Sequence, residues 1–166
     1  MAMLLAGWAG QSHAAEVNVY SARKEELIKP LLDRFTGQTG ITVNLVTGED
    51  DVLLERLKAE GKNSPADILL MADAGRLWRA EHAGLLQAVR SDKLEADIPA
   101  RLRHADGLWF GLTVRARVFA YAPSRVKPGD MSTYENLADA RWKGRLCSRS
   151  SSNVYNQSLT ASMISH

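Results

Sequence analysis

The stretch Val17–Val46, VNVYSARKEELIKPLLDRFTGQTGITVNLV, changes its periodicity twice. Val17 to Tyr20 predicts a short strand. Leu27, Leu31, Leu32 and Phe35 then recur at helical spacing, and the stripe ends at Thr36-Gly37-Gln38-Thr39-Gly40, where glycine permits the closing turn. Ile41 to Val46 alternates as a second strand. Working outward, Asp50 or Asp51 can cap a helix that carries Leu53, Leu54, Leu57 and Ala59 and stops at Gly61. Ile68 to Met71 is a short, fully apolar third strand. Leu77, Trp78 and Ala80 predict another helix, closed by Gly84 before Leu85-Leu86. Repeated strand-helix-strand units imply an α/β fold with a parallel sheet and helices on both faces. Ligands of such sheets gather at the carboxyl ends of the strands, which puts Ser21-Ala22-Arg23, Thr47-Gly48-Glu49 and Asp73-Ala74-Gly75 at the rim of one cleft.

From Leu108 to Tyr121 the pattern becomes a long extended run with no helical interruption. Beyond it come a loop at Pro123 to Gly129, a helix near Thr133 to Leu137 and a strand at Arg145 to Cys147. With 166 residues, 45% of them hydrophobic, the chain can bury one core, and its charge of +2 gives no electrostatic case for nucleic acid.

Met1 to Ala15 is apolar around Met3-Leu4-Leu5-Ala6 and ends in small residues, the pattern of an export signal, although no Lys or Arg precedes Arg23. A start upstream of Met1 is expected on that ground. The apolar run falls well short of the roughly 20 residues of a membrane span. The single cysteine, Cys147, cannot form an internal disulfide and is expected to be a buried structural thiol.

Chemistry concentrates near the C-terminus. Three serines and an asparagine, Ser150-Ser151-Ser152-Asn153, are cap candidates for a helix continued by Leu159, Met163 and Ile164, so Tyr155 falls in its first turn. There the helix dipole favours negative charge. A phenol ordinarily titrates near about 10; the dipole and a bound cation both favour its anion, a hard oxygen donor suited to ferric iron. The alternative is a tyrosine that packs beside a cap. Tyr20, at a strand end, is expected to pack. His82 and His104 lack the spacing of a zinc site. Trp78, Trp109 and Trp142 are expected in core or interlobe packing, and no Gly-x-Ser-x-Gly elbow supports nucleophilic catalysis.

Several segments, in order, resemble the ferric-iron-binding periplasmic proteins of ABC importers. They are Asn18-Val19-Tyr20-Ser21-Ala22-Arg23, Asn63-Ser64-Pro65-Ala66-Asp67, Asp73-Ala74-Gly75-Arg76-Leu77 and Trp109 to Arg117. Ser132 to Asp139, Trp142-Lys143-Gly144-Arg145 and the serine-rich segment complete the set. The resemblance implies a class II periplasmic-binding-protein fold: a complete or nearly complete first lobe at 16–115, including a hinge strand, and the beginning of a second lobe at 116–166. It implies a monomeric periplasmic receptor that binds Fe3+ with carbonate or a similar small anion, delivers it to an inner-membrane ABC permease and catalyses no reaction.

By the same resemblance, Tyr155 matches a second-lobe tyrosine ligand, while an adjacent tyrosine pair of the family has no counterpart before His166. Where relatives place Arg-His-Tyr, this chain has Arg23-Lys24-Glu25. Glu25 is then a carboxylate ligand or an ordinary first-turn helix residue. Arg23 offers a planar fork to an oxyanion, or pairs with Glu26 or Asp50. Arg115 is a second anion candidate carried from the hinge segment; Arg117 shares its strand face. Ser151, Ser152 and Asn153 can donate to the anion from side chains or helix-start amides. Two alternatives stay open: an oxyanion, phosphonate or polyamine receptor of the same fold, and a truncated, non-binding remnant with exposed strand edges.

Overall fold

A computed structural model describes residues 15–165. All but the last residue of the expected export signal lies outside them. Two compact units divide the chain, one up to Leu86 and one from Gln87.

The first unit holds β1 (Glu16–Ser21), α1 (Glu25–Thr39), β2 (Thr42–Thr47), α2 (Asp50–Glu60), β3 (Ile68–Leu70) and α3 (Ala74–His82). The three strands form a parallel sheet in the order β2-β1-β3, with Val19 opposite both Leu45 and Ile68. Alternation along β1 gives the two faces different partners. Tyr20 packs with Leu53 and Leu57 of α2, with Val46 and Leu69 beside them. Val19 and Ser21 are buried as well, and α1 packs against β2. A second cluster, Leu54, Met71 and Ala80, joins α2 to α3.

Glycine closes the helices where the sequence predicts. Gly40, at φ 73°, sends its N–H to the Thr36 carbonyl, and Gly61, at φ 54°, sends its own to Leu57. Two helix details differ from expectation. The inward positions of α1 are half-buried Ile28, Leu32 and Thr36, whereas Leu27 and Leu31 are 67% and 63% exposed, so of the expected stripe only Leu32 turns inward, one residue round from Leu31. Residues i and i+1 lie about 100° apart on a helix, and α1 is apolar on both neighbouring ridges. Neither Asp50 nor Asp51 caps α2. Glu49 occupies the N-cap without a side-chain bond, and the Asp50 carboxylate turns toward Arg76 at 3.4 Å.

The second unit holds α4 (Asp92–Asp97) and α5 (Val154–Ser165), joined by turns and 3-10 segments. Ser91 caps α4 by accepting from the Leu94 N–H. A tight reversal follows, with Arg103 bridged to Phe110 and Gly107, at φ 75°, sending its N–H to the His104 carbonyl. No helix interrupts 108–121, but the expected hinge strand does not form: beyond the bridge at Phe110 the segment has no strand partner among the described residues. The helix expected near Thr133 is a 3-10 segment, Glu135–Ala138. The strand expected at Arg145–Cys147 does not form: no neighbouring strand supplies its hydrogen bonds among the described residues, and Leu146 is exposed. Cys147 is therefore exposed rather than buried. Trp142 is a core residue, but Trp78 is 55% exposed and stacks on His82, with ring centroids 3.9 Å apart.

Candidate metal and anion site

At the rim of the first unit, Ser21 is fully buried and its Oγ accepts the Arg23 N–H at 3.1 Å. The Gly48 N–H donates to the Ser21 carbonyl at 3.2 Å, so the β1 and β2 ends are tied together. Asp73 caps α3 by accepting from the Gly75 N–H at 2.9 Å. Arg23 pairs with neither Glu26 nor Asp50, since Lys24 takes the first at 3.9 Å and Arg76 the second. Glu25 stands exposed at the first position of α1.

Burial is the main influence on Asp50 and raises its pKa against the opposing pull of Arg76. Arg76 and Arg79 also reach Asp51, both at 3.6 Å, so this cluster braces α2 against α3. Tyr20 is structural, as expected. It is 1% exposed and its hydroxyl donates to Glu60 at 2.9 Å. Among the described residues no three His, Cys, Asp or Glu side chains converge on a possible metal.

The second unit brings Arg115, Ser151, Ser152, Asn153 and Tyr155 to the start of α5. Val154 anchors this start in the core. Asn153 Oδ1 accepts the Tyr155 N–H at 3.1 Å, and its carbonyl accepts those of Asn156 and Gln157. Gln157 reaches back to the Ser151 carbonyl at 3.0 Å, while the Ser150 and Ser152 hydroxyls lie 2.9 Å apart. These bonds hold the serine loop as a cap and leave the half-buried Tyr155 ring beside it.

Arg115 donates to the Tyr155 hydroxyl at 3.3 Å. Its guanidinium lies 5.9 Å from the ring centroid; that of Arg117 lies at 4.6 Å and that of Arg149 at 5.6 Å. Arg115 and Arg117 thus reach the same ring as Arg149. Arg149 escaped the sequence reading, although it directly precedes the serine run; its only signal there is position.

The family profile of bacterial extracellular solute-binding proteins matches residues 31–165. The chain belongs to that family. Among curated members, iron uptake protein A1 of Synechocystis sp. is 56% identical over 149 residues, covering 90% of this chain and 41% of the relative. The Fe(3+)-binding periplasmic protein of Serratia marcescens is 33% identical over 144 residues, covering 86% of this chain and 42% of the relative. The chain thus spans about two fifths of the length of these solute-binding proteins.

Among solved structures, a Trichodesmium protein in complex with iron and citrate ligands superposes with a TM-score of 0.87 at 52% identity, over 91% of this chain and 48% of that one. The fold expected from sequence, that of class II periplasmic binding proteins, is the fold this chain has. No helix among its described residues is long and apolar enough to cross a membrane.

Proposed function

We propose that the protein is a periplasmic receptor that captures ferric iron and passes it to an ABC permease in the inner membrane. Tyr155 supplies a phenolate oxygen to the metal, and Arg115, Ser151, Ser152 and Asn153 serve a carbonate-like anion. Arg23 is a further candidate for the anion and Glu25 a candidate carboxylate ligand, both on the first lobe. The first lobe and its hinge segment run over 16–115 and the second lobe begins at 116. Closure is a hinge motion in which metal and anion bridge charges from both lobes. The receptor works as a monomer and turns over no substrate.

The observation that carries this reading is the tyrosine at a capped helix start whose hydroxyl receives a guanidinium hydrogen bond. A phenolate is a hard donor matched to ferric iron, and the Arg115 guanidinium beside it suits an oxyanion. Similarity to iron uptake proteins supports the choice of metal. The test is Tyr155→Phe. Ferric loading of the wild-type protein is expected to give a visible phenolate-to-iron absorption that the variant lacks, with weakened affinity; an unchanged band and affinity sink the assignment.

A further inference from the structure

Charge is divided unevenly along this chain. Residues 87–166 carry twelve Lys and Arg against seven Asp and Glu, whereas residues 1–86 carry nine against twelve. The excess is steepest beyond Gly107, where eight cations face three acids. Three of the eight, Arg115, Arg117 and Arg149, surround Tyr155. Of the others, Arg141, Lys143 and Arg145 gather at a different aromatic residue, Trp142, and Arg125 is tied to them.

The local sequence Trp142-Lys143-Gly144-Arg145 builds that gathering. Lys143, at φ -55° and ψ 123°, and Gly144, at φ 72°, have the backbone of a type II turn, closed by the Arg145 N–H on the Trp142 carbonyl at 2.9 Å. Trp142 is buried, and Lys143 is left at the exposed tip of the turn. The Arg141 and Arg145 guanidiniums lie 5.1 and 5.3 Å from the indole centroid, a contact that restrains two long side chains. Arg145 also donates to the Arg125 carbonyl at 3.3 Å, which brings the backbone of exposed Arg125 alongside. Only Arg141 has a carboxylate nearby, Asp139 at 3.8 Å. Arg125, Lys143 and Arg145 have no acidic partner among the described residues. Leu146 follows the turn at 48% exposure.

We propose that this turn is a membrane-contact surface whose partner is a bilayer rich in anionic phospholipid. Arg125, Lys143 and Arg145 meet the lipid phosphates, and Leu146 enters the headgroup layer. Guanidinium and ammonium groups both bind phosphate oxygens, and these three come without interleaved acids, so their attractions to a charged plane add. Each Lys or Arg near such a surface raises partitioning about fivefold. The exposed leucine beside them favours lipid over other polyanions, because apolar surroundings lie just below a headgroup layer. None of these residues belongs to the proposed iron and anion site, so the inference holds or fails independently of that reading. For a receptor that serves a permease, weak adhesion of this kind confines its search to the plane of the membrane.

The experiment is co-sedimentation of the purified protein with vesicles of phosphatidylcholine alone and of phosphatidylcholine mixed with phosphatidylglycerol, at low and moderate salt. Wild type is expected to pellet with the anionic vesicles only, and less as salt rises. Lys143→Gln is expected to lower partitioning about fivefold, and the Arg125→Gln, Lys143→Gln double variant about twentyfold. Neither side chain is bonded among the described residues, so both variants should keep the wild-type circular dichroism. Lys62→Gln removes an equal charge from an exposed position of the first unit and should leave partitioning unchanged. An equal loss in that control would assign binding to net charge rather than to this turn and overturn the inference. So would absence of wild-type binding to the anionic vesicles, equal binding to neutral ones, or wild-type partitioning by the double variant. Failure on vesicles together with salt-sensitive binding of polyglutamate would overturn the lipid assignment in favour of an acidic protein partner.

Discussion

Asn153 accepts the backbone N–H of Tyr155 on its side-chain oxygen at 3.1 Å, two residues before the aromatic ring it positions. Its carbonyl accepts the Asn156 and Gln157 N–H groups, so three donors at the start of α5 end on one residue. Unpaired helix-start donors are costly in a segment anchored by buried Val154. The direction in which Tyr155 leaves the helix is therefore set by this cap.

Removing the cap should be measurable. Asn153→Ala is expected to lower stability by about 1 kcal/mol, whereas Asn153→Ser and Asn153→Asp should stay within a few tenths, because their oxygens accept the same bond. Urea unfolding followed by circular dichroism checks the order of the three variants.

Gly107 should tolerate no side chain. Its φ of 75° is left-handed, and an added Cβ would collide with the Val89 carbonyl, whose own N–H is bonded to the Gly107 carbonyl at 3.0 Å. Gly107→Ala is expected to cost about 2 kcal/mol or more from the conformation and the clash together. A control at exposed Gly129, where a Cβ meets nothing within 4 Å, should change the unfolding midpoint little.

The Tyr20 and Glu60 pair predicts a pH dependence with two limbs. The Ser64 hydroxyl, then Arg56, then Tyr20 hold the Glu60 carboxyl below its ordinary value of 4.5. A depressed folded pKa contributes stability that is complete above about 4.5 and is lost as pH falls through the folded value. Burial, then the Glu60 contact, raises the Tyr20 phenol above 10.0, so its contribution is present below 10.0 and is lost as pH rises through the higher folded value. Asp50, raised by burial, acts against Glu60 in acid. Glu60→Gln should flatten the acid limb relative to wild type, and Tyr20→Phe the alkaline one, in unfolding midpoints measured across pH.

Cys147 should react in the native state. Its segment has no strand partner among the described residues, and the residue is exposed. A thiol-disulfide reagent is expected to label it at a rate within a few-fold of the unfolded chain; protection by orders of magnitude would return the residue to the core.

Much of this molecule was legible one segment at a time. The alternation of β1 and β2, the glycine ends of α1 and α2, and the position of Tyr155 in the first turn of α5 are all properties of short segments. Periodicity, cap chemistry and the φ freedom of glycine carry that information locally. The resemblance in segments spread from Asn18 to Leu159 likewise needed only order along the chain.

What only the tertiary structure decided are the matters that depend on distant partners. Which ridge of α1 turns inward was settled by its packing on β2, since Leu27 and Ile28 are equally apolar and differ only by rotation about the axis. Asp50 looked like a cap, but its carboxylate faces Arg76 of α3 and the N-cap is Glu49, without a side-chain bond. Cys147 lacks the strand neighbour that would have buried it. Arg115 and Arg117 meet Tyr155 across about forty residues, and Arg149 reaches the same ring from six residues before it. Periodicity states which way a side chain leaves its own backbone. Where that side chain arrives depends on the path of the intervening chain, and for these arginines the fold supplied it.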